Sequence, residues 1–125
     1  MKPSEIIKQD CLNKGLEADK ILVAIHTLMR DKRVLIFQHG ESVLVLVDIG
    51  PGQFETHLYS LDSPLKVSQA MVKFFADIKR LKGLNTMYGE ADNPQIINLL
   101  KSLAKREKTT IQTPDKSGYN WMIKL

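Results

Sequence analysis

The spacing of apolar residues predicts two helices at the start of the chain. The first runs from a Ser4 cap to about Asn13, and Gly15 suits the left-handed position that follows a helix. In the second, apolar residues recur every three or four positions and so form one stripe on a helical face. That stripe consists of Ala18, Ile21, Leu22, Ile25, Leu28 and Met29.

The apolar pattern then changes to the short runs that are typical of strands. Residues 34–37 and 43–47 are apolar, rich in β-branched side chains, and separated by residues 38–41, which predicts a hairpin. The run at 43–47 is apolar on both faces, as expected of a central strand. Residues 54–60 alternate as a third strand, whose more polar face carries Glu55, His57 and Tyr59.

Two further helices and three further strands are predicted in the second half of the chain. Ser63-Pro64 precedes a long helical stripe that ends at Gly83, and Asn93-Pro94 provides a cap and a first helical residue for the next helix. Residues 85–91, 109–112 and 119–125 are predicted strands. In the last of them, alternation places four residues on one face: Tyr119, Trp121, Ile123 and Leu125.

The predicted element order is α-α-β-β-β-α-β-α-β-β, which is an α/β pattern. Three successive strands form an antiparallel meander, and a strand–helix–strand unit implies a parallel neighbour. We therefore expect a mixed, mostly antiparallel sheet with helices on both faces. The 125 residues suit one domain, and no linker divides residues 1–125.

Cysteine and histidine usage excludes several classes of site. Cys11 is the only cysteine, which excludes an internal disulfide or a multi-cysteine metal cluster and fits a reducing compartment. The histidines at 26, 39 and 57 lack metal-ligand spacing, so we expect no metal. Charged residues interrupt the start of the chain, and no apolar run approaches a membrane span of about 20 residues. A cytoplasmic protein without membrane contact is therefore expected.

The net charge of +4 is unevenly distributed. Residues 1–62 hold 7 Lys and Arg against 9 Asp and Glu, whereas residues 63–125 hold 11 against 5. Many of these cations fall at the ends of two predicted helices, where they complement the helix dipole. We therefore expect no nucleic-acid partner. The acidic and basic halves favour a protein partner or self-association.

The segment LNTMYGEADNPQIINLLKSLAKRE, together with the element order, resembles the GNAT superfamily of N-acetyltransferases. Four of its residues match the spacing of the family's N-x-x-A-x-x-L-Y pattern: Asn93, Ile96, Leu99 and Leu100. Ala104-Lys105 stands where the family usually has Gly-Phe. The compact chain is most similar to the small GNAT-like proteins of tailed bacteriophages, some of which act in virion assembly. That resemblance would place it in the host cytoplasm or the virion.

The resemblance implies a cofactor, acetyl-CoA, and the residues that would hold it. Family members bind the pyrophosphate of acetyl-CoA with a glycine-containing loop at the start of the central helix. The matching stretch, residues 62–68, has no glycine, and Pro64 lacks an N–H group. The candidate cofactor-binding residues are Lys66, Val67, Ser68 and Asn93.

The resemblance also implies a catalytic base, Glu55, at the position where many family members carry a glutamate. The alternative is that Glu55 lies on an exposed face at a sheet edge. Leu100 falls where the family often has a tyrosine that acts as a general acid, and its side chain cannot donate a proton.

Two functions therefore remain open. One is a non-catalytic GNAT-like protein that works through protein contacts, with no cofactor expected. The other is an acetyl-CoA-dependent N-acetyltransferase.

Overall fold

A computed structural model describes residues 1–90, 94–113 and 118–125. Its helices are α1 (Pro3–Asn13), α2 (Ala18–Arg30), α3 (Pro64–Lys79) and α4 (Pro94–Arg106). Its strands are β1 (Val34–His39), β2 (Ser42–Gly50), β3 (Gln53–Ser60), β4 (Thr86–Gly89), β5 (Thr110–Gln112) and β6 (Trp121–Lys124).

The described strands form one sheet in the order β1-β2-β3-β4-β6-β5. β3 and β4 are parallel, because the crossover through α3 returns the chain to the end of the sheet at which β3 begins. All other neighbouring strands are antiparallel. The parallel pairing runs from Gln53 opposite Thr86 to Thr56 opposite Gly89 and does not extend to the end of β3. The predicted α/β class with a mixed, mostly antiparallel sheet is confirmed.

Helices cover the sheet on both faces, and two apolar clusters result. Leu44 and Leu46 of β2 belong to the cluster that includes Phe74 of α3. Val43 and Val45 of the same strand belong to the cluster that includes Ile6 of α1. The prediction that β2 is buried on both faces is therefore confirmed, because alternate side chains of a strand point in opposite directions.

Three local predictions about where elements begin or end are wrong. The third helix ends at Lys79, with Arg80 as its C-cap, and not at Gly83. The first helix begins at Pro3 and not after Ser4, because proline suits the first helical position. Its N-cap is Lys2, whose backbone N–H donates to Glu5 Oε1 at 3.2 Å. The last strand begins only at Trp121, so Tyr119 does not share the face of Trp121. Gly15 does have the predicted left-handed backbone, with φ of 71°.

Gly89 of β4 leaves room for the indole ring of Trp121, its partner residue in β6. A Cβ atom at this position would lie 2.1 Å from Cε2 and Cζ2 of Trp121. The indole ring therefore occupies the space that any larger residue at position 89 would need.

None of the described helices is both long and apolar enough to cross a membrane.

Candidate functional site

The start of α3 is the first part of the candidate site, and its own residues take up the local hydrogen-bonding groups. Ser63 is the N-cap, and its Oγ accepts a 3.5 Å hydrogen bond from Lys66 N. The Ser68 hydroxyl donates to the carbonyl oxygens of Pro64 and Leu65, at 3.1 and 3.2 Å. Val67 is half-buried, and its N–H donates to Ser63 O at 2.9 Å.

Asp62 adds a carboxylate immediately before this helix. Its Oδ2 accepts from Glu41 N at 3.1 Å and from the buried hydroxyl of Ser42 at 2.7 Å. Ser42 Oγ also lies 2.6 Å from Ser60 Oγ, and Ser60 N donates to Asp10 Oδ2 at 3.2 Å. These bonds tie the β1–β2 turn and the end of β3 to α1, so the backbone before α3 is held in place.

Two clefts adjoin the start of α3. One has a volume of about 430 Å³ and presents two cations and two carboxylates to solvent, from Lys66, Lys73, Glu41 and Asp62. The other has a volume of about 450 Å³, lies between the first turns of α3 and α4, and is largely apolar, with Leu65, Val67, Ile96 and Leu99 in its wall. Neither cleft concentrates positive charge.

Glu55 is the centre of a second polar group, on the face of the sheet that α1 and α2 partly cover. The Tyr119 hydroxyl donates to Glu55 Oε2 at 2.7 Å, and His57 Nε2 lies 2.5 Å from Glu55 Oε1. The Glu55 side chain is 24% exposed and that of His57 is 32% exposed. Glu55 is on the third of six strands, so the alternative of an exposed residue at a sheet edge is wrong.

Burial and hydrogen bonding act in opposite directions on the Glu55 carboxylate. Partial burial raises its pKa, but the hydrogen bonds from Tyr119 and His57 together lower the pKa below its ordinary value. Glu55 is therefore ionised at neutral pH, and His57 Nε2 must be the donor in the bond between them. The same bond from Tyr119 raises the pKa of its phenol to about 12, so that hydroxyl keeps its proton.

An aromatic ring completes this group, which we call the Glu55 cluster: Glu55, His57, Tyr88 and Tyr119. The rings of Tyr88 and Tyr119 lie with their centroids 5.0 Å apart. Nearby, Asn120 Nδ2 donates to the carbonyl oxygen of Glu90 at 2.5 Å and holds the end of β4 beside the approach to β6. The sequence pattern missed Tyr119 because strand alternation assigned it to the face of Trp121.

The structure keeps the predicted site residues in two separate places. Lys66, Val67 and Ser68 lie on the first turns of α3, and no hydrogen bond or ion pair among the described residues joins them to Glu55. Asn93 lies outside the described residues. Leu100 is buried against α3 in the core, with 2% of its surface exposed. Within the described ranges, no group of three or more His, Cys, Asp and Glu side chains could hold a metal ion.

Comparisons with known proteins identify the fold. No protein-family model and no curated protein matches the chain. Two solved structures are similar to it: a chimera of the spermidine N-acetyltransferase SpeG from Vibrio cholerae and hSSAT, and the Campylobacter jejuni N-acetyltransferase PseH in complex with acetyl coenzyme A.

The similarity to both structures spans almost the whole chain. The first shares 10% identity over 99% of this chain and 90% of the other, with a TM-score of 0.58. The second shares 19% identity over 100% of this chain and 92% of the other, with a TM-score of 0.52. The chain therefore has the fold of the GNAT acetyltransferases.

Proposed function

We propose that this chain is a GNAT-fold protein that works by binding another protein chain and does not transfer an acyl group. The proposal rests on the start of α3, where Ser63 caps the helix, Pro64 is its first residue and Asp62 immediately precedes the cap. In this fold a cofactor phosphate is expected at that position.

A pyrophosphate bound at a helix start needs free backbone N–H groups and an approach without competing negative charge. Here the Ser63 hydroxyl already accepts from Lys66 N, and Pro64 has no N–H to offer. Asp62 lines both clefts at this helix start, and its negative charge disfavours an anion there. The residues present therefore do not fit acetyl-CoA.

The setting that we propose for this function is virion assembly. Its support is the resemblance of the sequence to the small GNAT-like proteins of tailed bacteriophages. Such a role needs a stable fold and a surface that another protein recognises, and it makes no demand on the cofactor groove.

Calorimetry and thermal melting with acetyl-CoA test the proposal directly. We expect no heat of binding, and no rise of the melting temperature at millimolar acetyl-CoA, because a ligand of the folded state would raise it by mass action. A saturable rise that Lys66→Glu removes would overturn the proposal. Lys101→Glu, which makes the same change of charge on the exposed surface of α4, is the control for a general charge effect.

The Glu55 cluster favours a second candidate, an N-acetyltransferase. Because His57 donates through Nε2, its Nδ1 carries a lone pair in the neutral ring, and no hydrogen bond among the described residues engages it. Glu55 orients this imidazole, which can accept a proton from an amine. Release of coenzyme A from acetyl-CoA in the presence of a panel of amines tests this candidate. Activity that His57→Asn abolishes, with folding retained, would establish it against the first proposal.

A further inference from the structure

One edge of the sheet is open and unusually apolar. Among the residues that the structure describes, β1 pairs only with β2, in an uninterrupted register. Four of its six residues are Val34, Leu35, Ile36 and Phe37. It contains no Lys, Glu, proline or bulge, which are the features that protect natural edge strands from pairing with other chains. Leu35 is 40% exposed. The opposite edge, β5, has only three residues, of which two are polar.

The backbone of β1 offers a row of hydrogen-bonding groups at this edge. Asp48 N donates to Arg33 O at 2.8 Å, so Arg33 faces β2. In an antiparallel ladder the direction alternates along the strand. Leu35 and Phe37 therefore also bond to β2, whereas the N–H and C=O groups of Val34, Ile36 and Gln38 point away from the sheet.

We infer that β1 pairs antiparallel with β1 of a second copy of this chain, about a two-fold axis at Ile36. The inference rests on the proposed function, since it names the protein partner. Pairing in this register joins the outward groups of Val34 to those of Gln38 in the second copy, and Ile36 to its own equivalent. It also sets Leu35 opposite Phe37 of the second copy, which is a favourable apolar cross-strand pair.

The charges at the two ends of β1 select an antiparallel second copy. Lys32 and Arg33 precede the strand, and Glu41 follows it in the hairpin turn. Antiparallel pairing brings the cationic end of each copy next to the acidic turn of the other, with Arg33 diagonal to Glu41. A parallel arrangement would place like charges side by side. A two-fold axis gives both copies the same contacts and closes the assembly at two.

Next to the β1 edge lies further apolar surface, which pairing of two copies would also bury. A cleft of about 430 Å³ between α1, α2 and β1 is lined by Ile7, Leu22, Ile25, Met29 and Ile36. Met29 is 48% exposed at this cleft. Apolar surface of this kind beside an open edge is typical of an interaction site.

Sedimentation analysis of the purified chain over a range of concentrations tests the inference. We expect a monomer–dimer equilibrium whose dissociation constant rises at least about tenfold in Leu35→Lys, because each copy then places a charge at the interface. Leu12→Lys makes the same change at a residue that is 53% exposed on α1, far from β1 in the fold, and should leave the constant unchanged. Glu41→Lys, at an exposed turn residue, should weaken the dimer at low salt and serves if Leu35→Lys does not fold.

Amide hydrogen exchange gives a readout that only edge pairing produces. The amides of Val34, Ile36 and Gln38 should be protected at high protein concentration and should lose protection on dilution. The amides of Leu35 and Phe37 should stay protected at both concentrations, because they bond to β2.

The outcomes for the edge and for the cofactor are separable. A monomer at all concentrations, or a dimer that neither Leu35→Lys nor Glu41→Lys weakens, overturns the edge pairing. If such a chain binds no acetyl-CoA, the proposed function stands with a different protein as partner. A dimer with the expected exchange pattern that does bind acetyl-CoA keeps the edge pairing and overturns the proposed function.

Discussion

Tyr119 donates a 2.7 Å hydrogen bond to Glu55 across 64 positions of sequence. The bond joins the segment before the last strand to the middle of the sheet. It also lowers the pKa of the carboxyl and raises that of the phenol, because the bond favours an ionised carboxylate and a protonated hydroxyl. Its removal therefore has consequences for both titration and stability.

Tyr119→Phe should raise the pKa of Glu55 towards its ordinary value of 4.5, because the carboxylate loses one of its two donors. The free energy of unfolding should fall by about 1 kcal/mol at neutral pH. A carboxyl titration followed by NMR and a urea melt measure the two effects. An unchanged Glu55 pKa in the folded variant would contradict the assigned role of the phenol.

Acid should remove the stability that the Glu55 cluster contributes. The pKa of Glu55 is lower in the folded chain than in the unfolded chain, so this contribution is complete above the unfolded value and is lost as pH falls through the folded value. Wild type should therefore lose more stability than Tyr119→Phe as the pH falls from the ordinary pKa of 4.5 through the lower pKa of the folded chain. Urea melts at each pH measure the free energy of unfolding of both proteins. An equal loss in the two proteins would contradict this prediction.

Alkaline titration should reveal two tyrosines that ionise late. Burial raises the pKa of Tyr59 to about 12, and the hydrogen bond to Glu55 raises that of Tyr119 to about 12. Both values lie above the ordinary 10.0, so the stability they contribute is present below pH 10 and is lost as pH rises through 12. Tyrosinate absorbance should show two late groups in wild type and one in Tyr119→Phe.

Gly89→Ala should destabilise the chain by about 3 kcal/mol, because the added Cβ would overlap the indole ring of Trp121. Gly89→Ala should cost less stability when it is made in Trp121→Leu than when it is made in wild type, since the smaller side chain leaves room for the Cβ atom. Additive effects of the two substitutions in denaturant melts would show that the contact is not the cause.

Ser42→Ala should destabilise the chain by about 1–3 kcal/mol, because it removes a buried hydroxyl that bonds to Asp62 and Ser60. Ser102→Ala on the exposed side of α4 is the matched control and should change stability by less than about 0.5 kcal/mol. Equal effects in a thermal melt would indicate that the network around Asp62 adds no stability.

The elements and the fold class were within reach of the sequence because each depends on a short repeat. Ala18, Ile25 and Leu28 mark one face of α2 by their spacing, and the continuous apolar run of β2 marks a strand buried on both sides. Turn chemistry at Gly15 and the proline at position 94 placed two boundaries. At the first helix the predicted Ser4 cap was wrong, because Pro3 is already the first helical residue.

The contacts of Glu55 were not within reach, because they depend on how distant segments meet. Alternation along residues 119–125 assigned Tyr119 to the face of Trp121, but the strand starts two residues later and Tyr119 reaches the opposite face. Alternation of apolar and polar residues does not show at which residue a strand begins. The same limit applies to Asp62, whose bonds to Glu41 and Ser42 join segments about 20 residues apart.

The sequence by itself determined the order of helices and strands, the mixed sheet and the missing glycines at the start of α3. These depend on local backbone preference and on the burial of one face of each element. Only the tertiary structure decided that Glu55 is held by His57 and Tyr119, that Asp62 bonds to Glu41 and Ser42, and that β1 is an open edge. Those features depend on strand order and register, which long-range packing sets and no local repeat encodes.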